Sequence, residues 1–138
     1  MKTIFGAMNL GQQVLGAEAD RMLIAFRDAG GSEVDTAYVY NDGASELLLG
    51  VCLDSLGSSG FKVSTKVNPR VTGRLDCSAV QTQLNTSLMR LGLNSVDVLY
   101  LHFPDRDTPV SSALEGCARL YEEGKFRELG VSNFPLSL

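Results

Sequence analysis

The chain has 138 residues, of which 44% are apolar and 20% charged, and its 12 basic and 16 acidic residues give a formal net charge of -4. This balance, without a run of lysine or arginine, argues against nucleic acid or an anionic membrane surface as a partner. The apolar stretches are far shorter than the ~20 residues of a membrane span, and the N-terminal one is too short for a secretory signal. We therefore expect a globular cytoplasmic chain without a membrane or nucleic-acid partner.

The three cysteines give no sign of a metal site or a disulfide framework. Cys52, Cys77 and Cys117 are odd in number, lie far apart and have no Cys-x-x-Cys or histidine-rich context. We predict that all three are buried thiols and that the chain has no metal site.

A short β-branched run, a loop and a helical pattern recur along the chain. In chain order the predicted strands are 3–10, 33–37, 61–66, 96–102 and 126–133, and the helices between them end at Gly30, Gly57, Gly92 and Gly124. Pro69 falls in a predicted loop, and apolar residues from Val80 to Leu91 follow at helical spacing. The fourth helix is predicted to begin with Thr108 as its N-cap and Pro109 at its first position.

This alternation predicts parallel strands joined by right-handed crossovers. Two architectures use that unit, the doubly wound open sheet and the closed (β/α)8 barrel. Residues 10–16, at the first strand-to-helix turn, lack the Gly-x-Gly-x-x-Gly of a dinucleotide-binding open sheet. The repeating unit predicts an α/β fold, and the missing motif weakens the open-sheet interpretation in favour of the TIM-barrel type. A closed barrel needs ~250 residues, and about four βα units with a fifth strand give little more than half of that, so the chain is either a truncated barrel or is completed by something else.

Chemistry in such a barrel lies at the carboxyl ends of the strands. The polar residues predicted there are Asp35, Tyr40 in the loop that follows, Lys66, His102, Ser132 and Asn133. A carboxylate, a phenol, an ammonium and an imidazole on one rim form an acid–base set. Lys66 would stabilise the phenolate of Tyr40, Asp35 would hold Lys66, and His102 would orient a carbonyl oxygen.

Each of these residues also has a structural interpretation. Tyr38 competes with Tyr40 as the reactive phenol, and either ring could pack on a helix. Lys66 could be solvated, His102 could be a core residue, and Asp35 could close a turn. Their coincidence on one rim favours the catalytic interpretation.

The sequence resembles the aldo-keto reductase family, and most closely its aflatoxin-aldehyde and succinic-semialdehyde reductase branch. The matching blocks are 35–40 (Asp-Thr-Ala-Tyr-Val-Tyr), 43–46 (Gly-Ala-Ser-Glu), 64–69 (Ser-Thr-Lys-Val-Asn-Pro), 101–105 (Leu-His-Phe-Pro-Asp) and 123–133, which ends in Gly-Val-Ser-Asn. They appear in the family's order and cover essentially the whole chain. The resemblance implies that residues 1–138 are the N-terminal part of the barrel domain and that its C-terminal part is missing.

The resemblance also implies NADPH-dependent reduction of a small carbonyl substrate. Tyr40 would match the family's general acid, and Lys66, Asp35 and His102 its partners. The residues implied to bind the nicotinamide carboxamide are Ser132 and Asn133. The later family segments, with the aromatic platform and the groups for the adenosine 2'-phosphate, have no counterpart in this sequence.

Three hypotheses follow. The sequence can belong to a reductase of which this chain is an incomplete product. It can be a short protein that completes a barrel by pairing with another copy. Or it can be a non-catalytic module that binds full-length reductase subunits through exposed strand edges.

Overall fold

The structure is a computed structural model and describes residues 2–57 and 60–135. Its strands are β1 (Phe5–Gly6), β2 (Glu33–Asp35), β3 (Lys62–Val67), β4 (Val96–Leu101) and β5 (Phe126–Val131). Its helices are α1 (Ala17–Asp28), α2 (Ala44–Ser55), α3 (Pro69–Thr72), α4 (Cys77–Leu91) and α5 (Val110–Glu122), with a 3₁₀ turn at Tyr40–Gly43. None of the helices in the described ranges is both long and apolar enough to cross a membrane.

The five strands form one parallel sheet in the order β1-β2-β3-β4-β5. A doubly wound sheet reverses its strand order at a switch point, whereas a (β/α)8 barrel adds each strand beside the preceding one. The consecutive order therefore confirms the predicted barrel-type fold, with five of the eight strands of a closed barrel.

The helices cover one face of this sheet. Strand register places Thr65 beside Leu99 and Val67 beside Leu101, and all four side chains are fully buried. The alternate residues Ser64 and Lys66 lie beside Val98 and Tyr100 on the opposite face. The core between sheet and helices is completed by fully buried leucines, namely Leu23, Leu49, Leu53, Leu84 and Leu120. Each contributes roughly 1.5–3 kcal/mol by its burial. The sheet therefore has a packed outer face and an open, polar inner face.

Helix α4 follows the predicted pattern closely. Asp76 caps its N-terminus, because the carboxylate accepts a hydrogen bond from the Ala79 amide at 2.9 Å. Gly92 ends the helix in the left-handed conformation, at φ 66°. The segment predicted as a loop around Pro69 is instead the short helix α3, which begins because the Asn68 side chain accepts from the Arg70 amide.

The predicted start of α5 is wrong by one position. The helix begins at Val110 with Pro109 as the N-cap residue, and no side chain caps it. Hydrogen bonds from Thr108 and from the Asp107 and Leu75 amides hold the pKa of the Asp105 carboxyl below its ordinary value.

The cysteine prediction holds for two of the three thiols. Cys52 and Cys117 are 1% and 2% exposed, and burial raises their pKa to about 12 and about 11. Cys77 is partly exposed, so its predicted burial is wrong. It is the first residue of α4, where the helix end meets solvent.

Candidate active site

Four of the predicted residues converge at the carboxyl ends of three neighbouring strands. Asp35 ends β2, Lys66 lies near the end of β3, His102 follows β4, and Tyr40 opens the 3₁₀ turn after β2. The Lys66 ammonium donates to Asp35 Oδ2 at 2.5 Å and to the Thr36 carbonyl at 2.6 Å. It lies 5.0 Å from the centre of the Tyr40 ring, and the Tyr40 and His102 rings are nearly perpendicular at a centroid distance of 5.9 Å.

The Lys66–Asp35 pair is largely removed from solvent. The two side chains are 10% and 29% exposed. The second carboxylate oxygen of Asp35 accepts from the Ser64 hydroxyl at 3.0 Å. Because a partly buried ammonium is costly unless it is paired and hydrogen-bonded, these contacts offset the burial of Lys66 and fix its position beside the Tyr40 ring.

The imidazole of His102 is held by a residue that our sequence analysis did not single out. Asn68 Nδ2 lies 3.3 Å from His102 Nδ1. Gln83 of α4 exchanges two hydrogen bonds with the Asn68 main chain, at 2.8 and 3.0 Å. We assign Asn68 as donor to Nδ1, which leaves the proton on Nε2 available for a carbonyl oxygen. The sequence did contain a signal for Asn68, because this residue lies within block 64–69, which matches the family.

His102 should make folding stability depend on pH. Burial lowers the pKa of the imidazole below its ordinary value of 6.5, and the charges of Lys66 and Arg70 lower it further against the opposing effect of Asp35. The unfolded chain therefore binds more protons below about pH 6.5, and the free energy of unfolding should fall as the pH drops through that window. Urea unfolding at pH 7.5 and 5.5 measures this fall. His102→Asn, which removes the chain's single histidine, should make it smaller, and an equal fall in both proteins would contradict the prediction.

The two competing phenols occupy different surroundings. The Tyr38 carbonyl accepts a hydrogen bond from Arg90 Nη1 at 3.0 Å, and the Arg90 guanidinium lies 4.3 Å from the centre of the Tyr38 ring. The Tyr40 ring is the one beside Lys66 and His102. The arrangement therefore favours Tyr40 as the phenol of the site, and its catalytic role stays a prediction.

Ser132 and Asn133 lie on the same rim, directly after β5. Asn133 adopts a left-handed conformation at φ 61°, and its amide nitrogen donates to the His102 carbonyl at 2.9 Å and to the Ser132 hydroxyl at 3.0 Å. The amide oxygen of Asn133 has no hydrogen-bond partner among residues 2–57 and 60–135. It can therefore accept a hydrogen bond from a bound molecule.

A second buried ion pair lies behind the site and was also missed. Glu46 of α2 is fully buried, and its two carboxylate oxygens accept from the Thr65 hydroxyl at 2.6 Å and from Arg90 Nη1 at 3.1 Å. Arg90 also holds the Tyr38 carbonyl. We call Glu46, Arg90 and Tyr38 the arginine clamp.

Comparison with known proteins agrees with this geometry. The model of the aldo/keto reductase family matches residues 2–138, and the chain belongs to that family. It is 42% identical over 134 residues to human aflatoxin B1 aldehyde reductase member 4, covering 96% of this chain and 40% of that protein. The identity to aflatoxin B1 aldehyde reductase member 2 of Mus musculus is also 42%, with 36% of that protein covered. These matches confirm the resemblance to the aflatoxin-aldehyde reductase branch.

Solved structures of the family share the fold. The glycerol dehydrogenase AKR11B4 of Gluconobacter oxydans superposes with a TM-score of 0.84 at 27% identity, covering 97% of this chain and 45% of that one. An aldo-keto reductase of Klebsiella pneumoniae in complex with NADPH gives a TM-score of 0.81 at 30% identity, with 97% and 46% covered. The chain thus spans less than half the length of these relatives.

Proposed function

We propose that the chain carries the acid–base half of a carbonyl reductase site and reduces aldehydes or ketones to alcohols with NADPH. The observation that supports this most is the paired Lys66 ammonium 5.0 Å from the centre of the Tyr40 ring, with the His102 ring nearly perpendicular to that ring at a centroid distance of 5.9 Å. The names of the aflatoxin B1 aldehyde reductases and the NADPH complex of the Klebsiella enzyme point to the same reaction and cofactor. The cytoplasmic location stays a prediction.

Proton transfer to the carbonyl oxygen is the step that these residues would perform. The oxygen would accept hydrogen bonds from the Tyr40 hydroxyl and from His102 Nε2. As a new C–H bond forms at the carbonyl carbon and the C=O π bond breaks, Tyr40 would give its proton to the oxygen. The phenolate left behind would be stabilised by the Lys66 ammonium, which the ion pair with Asp35 holds in place. His102 would act in its neutral form, because its lowered pKa disfavours the imidazolium.

Ser132 and Asn133, which follow β5, have polar groups suited to the carboxamide of a nicotinamide ring. A carboxamide needs an acceptor for its NH₂ group, and the amide oxygen of Asn133, which has no partner within the described ranges, provides one beside His102. The Ser132 hydroxyl lies 3.0 Å from the Asn133 amide nitrogen and adds a second polar group at that edge. NADPH, when bound, supplies the hydride. We therefore propose that Ser132 and Asn133 orient the carboxamide.

Cofactor binding tests the proposal directly. We expect the fluorescence of NADPH to change saturably on titration with the 138-residue chain, and Asn133→Ala to weaken binding about threefold to tenfold through the lost hydrogen bonds. Asn94→Ala is the matched control, because Asn94 is an exposed asparagine just before the amino end of β4, opposite the site. Absence of binding by a chain that circular dichroism shows to be folded would contradict the proposal.

A second candidate function is favoured by the edge of the sheet. Leu129 and Val131 of β5 are 41% and 58% exposed, although their neighbours in register, Leu99 and Leu101, are fully buried. An apolar strand edge of this kind can pair with another chain. The chain would then be a non-catalytic half-barrel that self-associates or binds a reductase subunit. Light scattering at multiples of 14.8 kDa that persists in Tyr40→Phe and is lost in Val131→Lys would favour this function.

A further inference from the structure

The arginine clamp takes no part in the proton transfer just described, yet it is the most buried charged group outside that site. The Glu46 side chain is 0% exposed and the Arg90 side chain 19% exposed. Burying such a pair costs several kcal/mol of desolvation, so ion pairs of this kind are weak contributors to net stability. Because net stability does not account for such a pair, its contacts with the Tyr40 loop are the more informative feature.

The clamp contacts the Tyr40 loop on both sides of that residue. Before Tyr40, the guanidinium binds the Tyr38 carbonyl and lies over the Tyr38 ring. After Tyr40, it lies against Gly43, where a Cβ atom would come within 2.5 Å of Arg90 Cζ. Gly43 also has φ +92°, so glycine is required there by conformation and by space.

The loop between these contacts is not held by its own backbone preferences. Asn41 and Asp42 both adopt left-handed conformations, at φ 52° and 54°, which asparagine and aspartate tolerate as single residues but seldom adopt in succession. Asn41 is anchored by hydrogen bonds from its side chain to the Met8 and Leu10 carbonyls at 2.7 and 2.8 Å. The conformation of the loop therefore depends on contacts supplied by other elements.

The clamp also joins the loop to the strand that carries Lys66. Glu46 accepts from the hydroxyl of Thr65, the residue immediately before Lys66, and the Tyr38 amide donates to the Lys66 carbonyl at 3.1 Å. Strand β3, helix α4 and the loop thus meet at one guanidinium and one carboxylate. A shift of Arg90 would move Tyr38 relative to Lys66.

We propose that Arg90, held by Glu46, is a positioning residue that fixes loop 38–43 so that the Tyr40 phenol stays against Lys66 and His102. This inference rests on the proposed function for its kinetic consequence, because it assigns Arg90 an effect on proton transfer by Tyr40. The placement of the Tyr40 ring is a structural consequence, and it holds whether or not the chain has the proposed activity.

Three variants separate positioning from stability. Arg90→Met removes the clamp but leaves the Glu46 charge buried and unpaired, so loss of folding in this variant alone would not separate positioning from stability. Glu46→Gln/Arg90→Met removes both charges and keeps an acceptor for the Thr65 hydroxyl. Arg119→Met is the matched control, since Arg119 is an exposed helical arginine paired with exposed Glu115.

The kinetic test uses the double variant. We expect it to fold and to bind NADPH as the unmodified chain does, while kcat for aldehyde reduction falls roughly tenfold to a hundredfold, as is typical when a reacting group is displaced by about 1 Å. The Arg119→Met control should keep its kcat. A double variant that folds with unchanged kcat would overturn the proposal and leave the clamp a purely structural pair.

A second measurement does not depend on activity. The chain has four tyrosines, so a sample labelled with ¹³C at the tyrosine ζ carbon gives four resonances, and Tyr40→Phe assigns the one of interest. In the folded double variant the Tyr40 resonance should shift or broaden, while that of exposed Tyr121 on α5 should not change. If the unmodified chain reduces no aldehyde, the proposed function fails but this test still applies. An unchanged Tyr40 resonance would overturn the positioning role.

Discussion

Replacing Tyr40 with phenylalanine is expected to lower kcat for aldehyde reduction by about two to four orders of magnitude, the usual range for loss of a general acid. The substitution removes one oxygen and keeps the ring, so the contacts with Lys66 and His102 remain. NADPH binding should be retained, because Ser132 and Asn133 are untouched. Absorbance at the NADPH maximum under single-turnover conditions separates the lost proton transfer from any change in binding.

Tyr38→Phe is the matched comparison for that experiment. Both phenols lie in the same loop, but Tyr38 meets Arg90 through its carbonyl and its ring, which phenylalanine preserves. This variant should keep most of the activity of the unmodified chain. Loss of activity in Tyr38→Phe with retention in Tyr40→Phe would show that the wrong phenol has been assigned.

Arg90→Met is expected to lower the free energy of unfolding by about 3–5 kcal/mol, because removing one partner of a buried ion pair leaves the other charge uncompensated. Glu46 is fully buried, and the Thr65 hydroxyl alone cannot offset its charge. Since whole domains are stable by about 5–15 kcal/mol, this loss would be a large fraction of the total. Urea unfolding followed by circular dichroism measures it.

The double variant Glu46→Gln/Arg90→Met should recover much of that loss, because no unpaired charge remains in the core. The exposed pair of Arg119 and Glu115 provides the comparison, and Arg119→Met should change stability by less than about 1 kcal/mol. If Arg90→Met changed the free energy of unfolding by as little, water would have to reach the Glu46 carboxylate, which contradicts its complete burial.

Much of the fold could be predicted from the sequence, because the patterns that mark helices and strands involve residues close together in the chain. Periodicity from Val80 to Leu91, closed by Gly92, predicts α4 without any knowledge of its neighbours. The convergence of Asp35, Lys66 and His102 was predictable for a geometric reason. Parallel strands that follow one another in a sheet bring their carboxyl ends to the same edge.

The features that were missed depend on contacts between distant residues. Arg90 lies in the last turn of a helix, where a basic side chain ordinarily faces solvent and the helix dipole. Its partner Glu46 is 44 residues away on another helix, and no local pattern links them. The start of α5 was misplaced for a different and local reason, because Pro109 is the N-cap residue and no side chain caps the helix.

The contact between Arg90 and Tyr38 spans 52 residues and also has a consequence for the order of folding. Strand β2 and the loop that carries Tyr40 precede α4 in the chain, but the contact that Arg90 makes with this loop forms only when α4 packs against it. Closing so long a segment carries an entropic cost that later contacts must offset. The reactive geometry is therefore a late product of folding, and on a ribosome it cannot assemble before the second half of this chain has emerged.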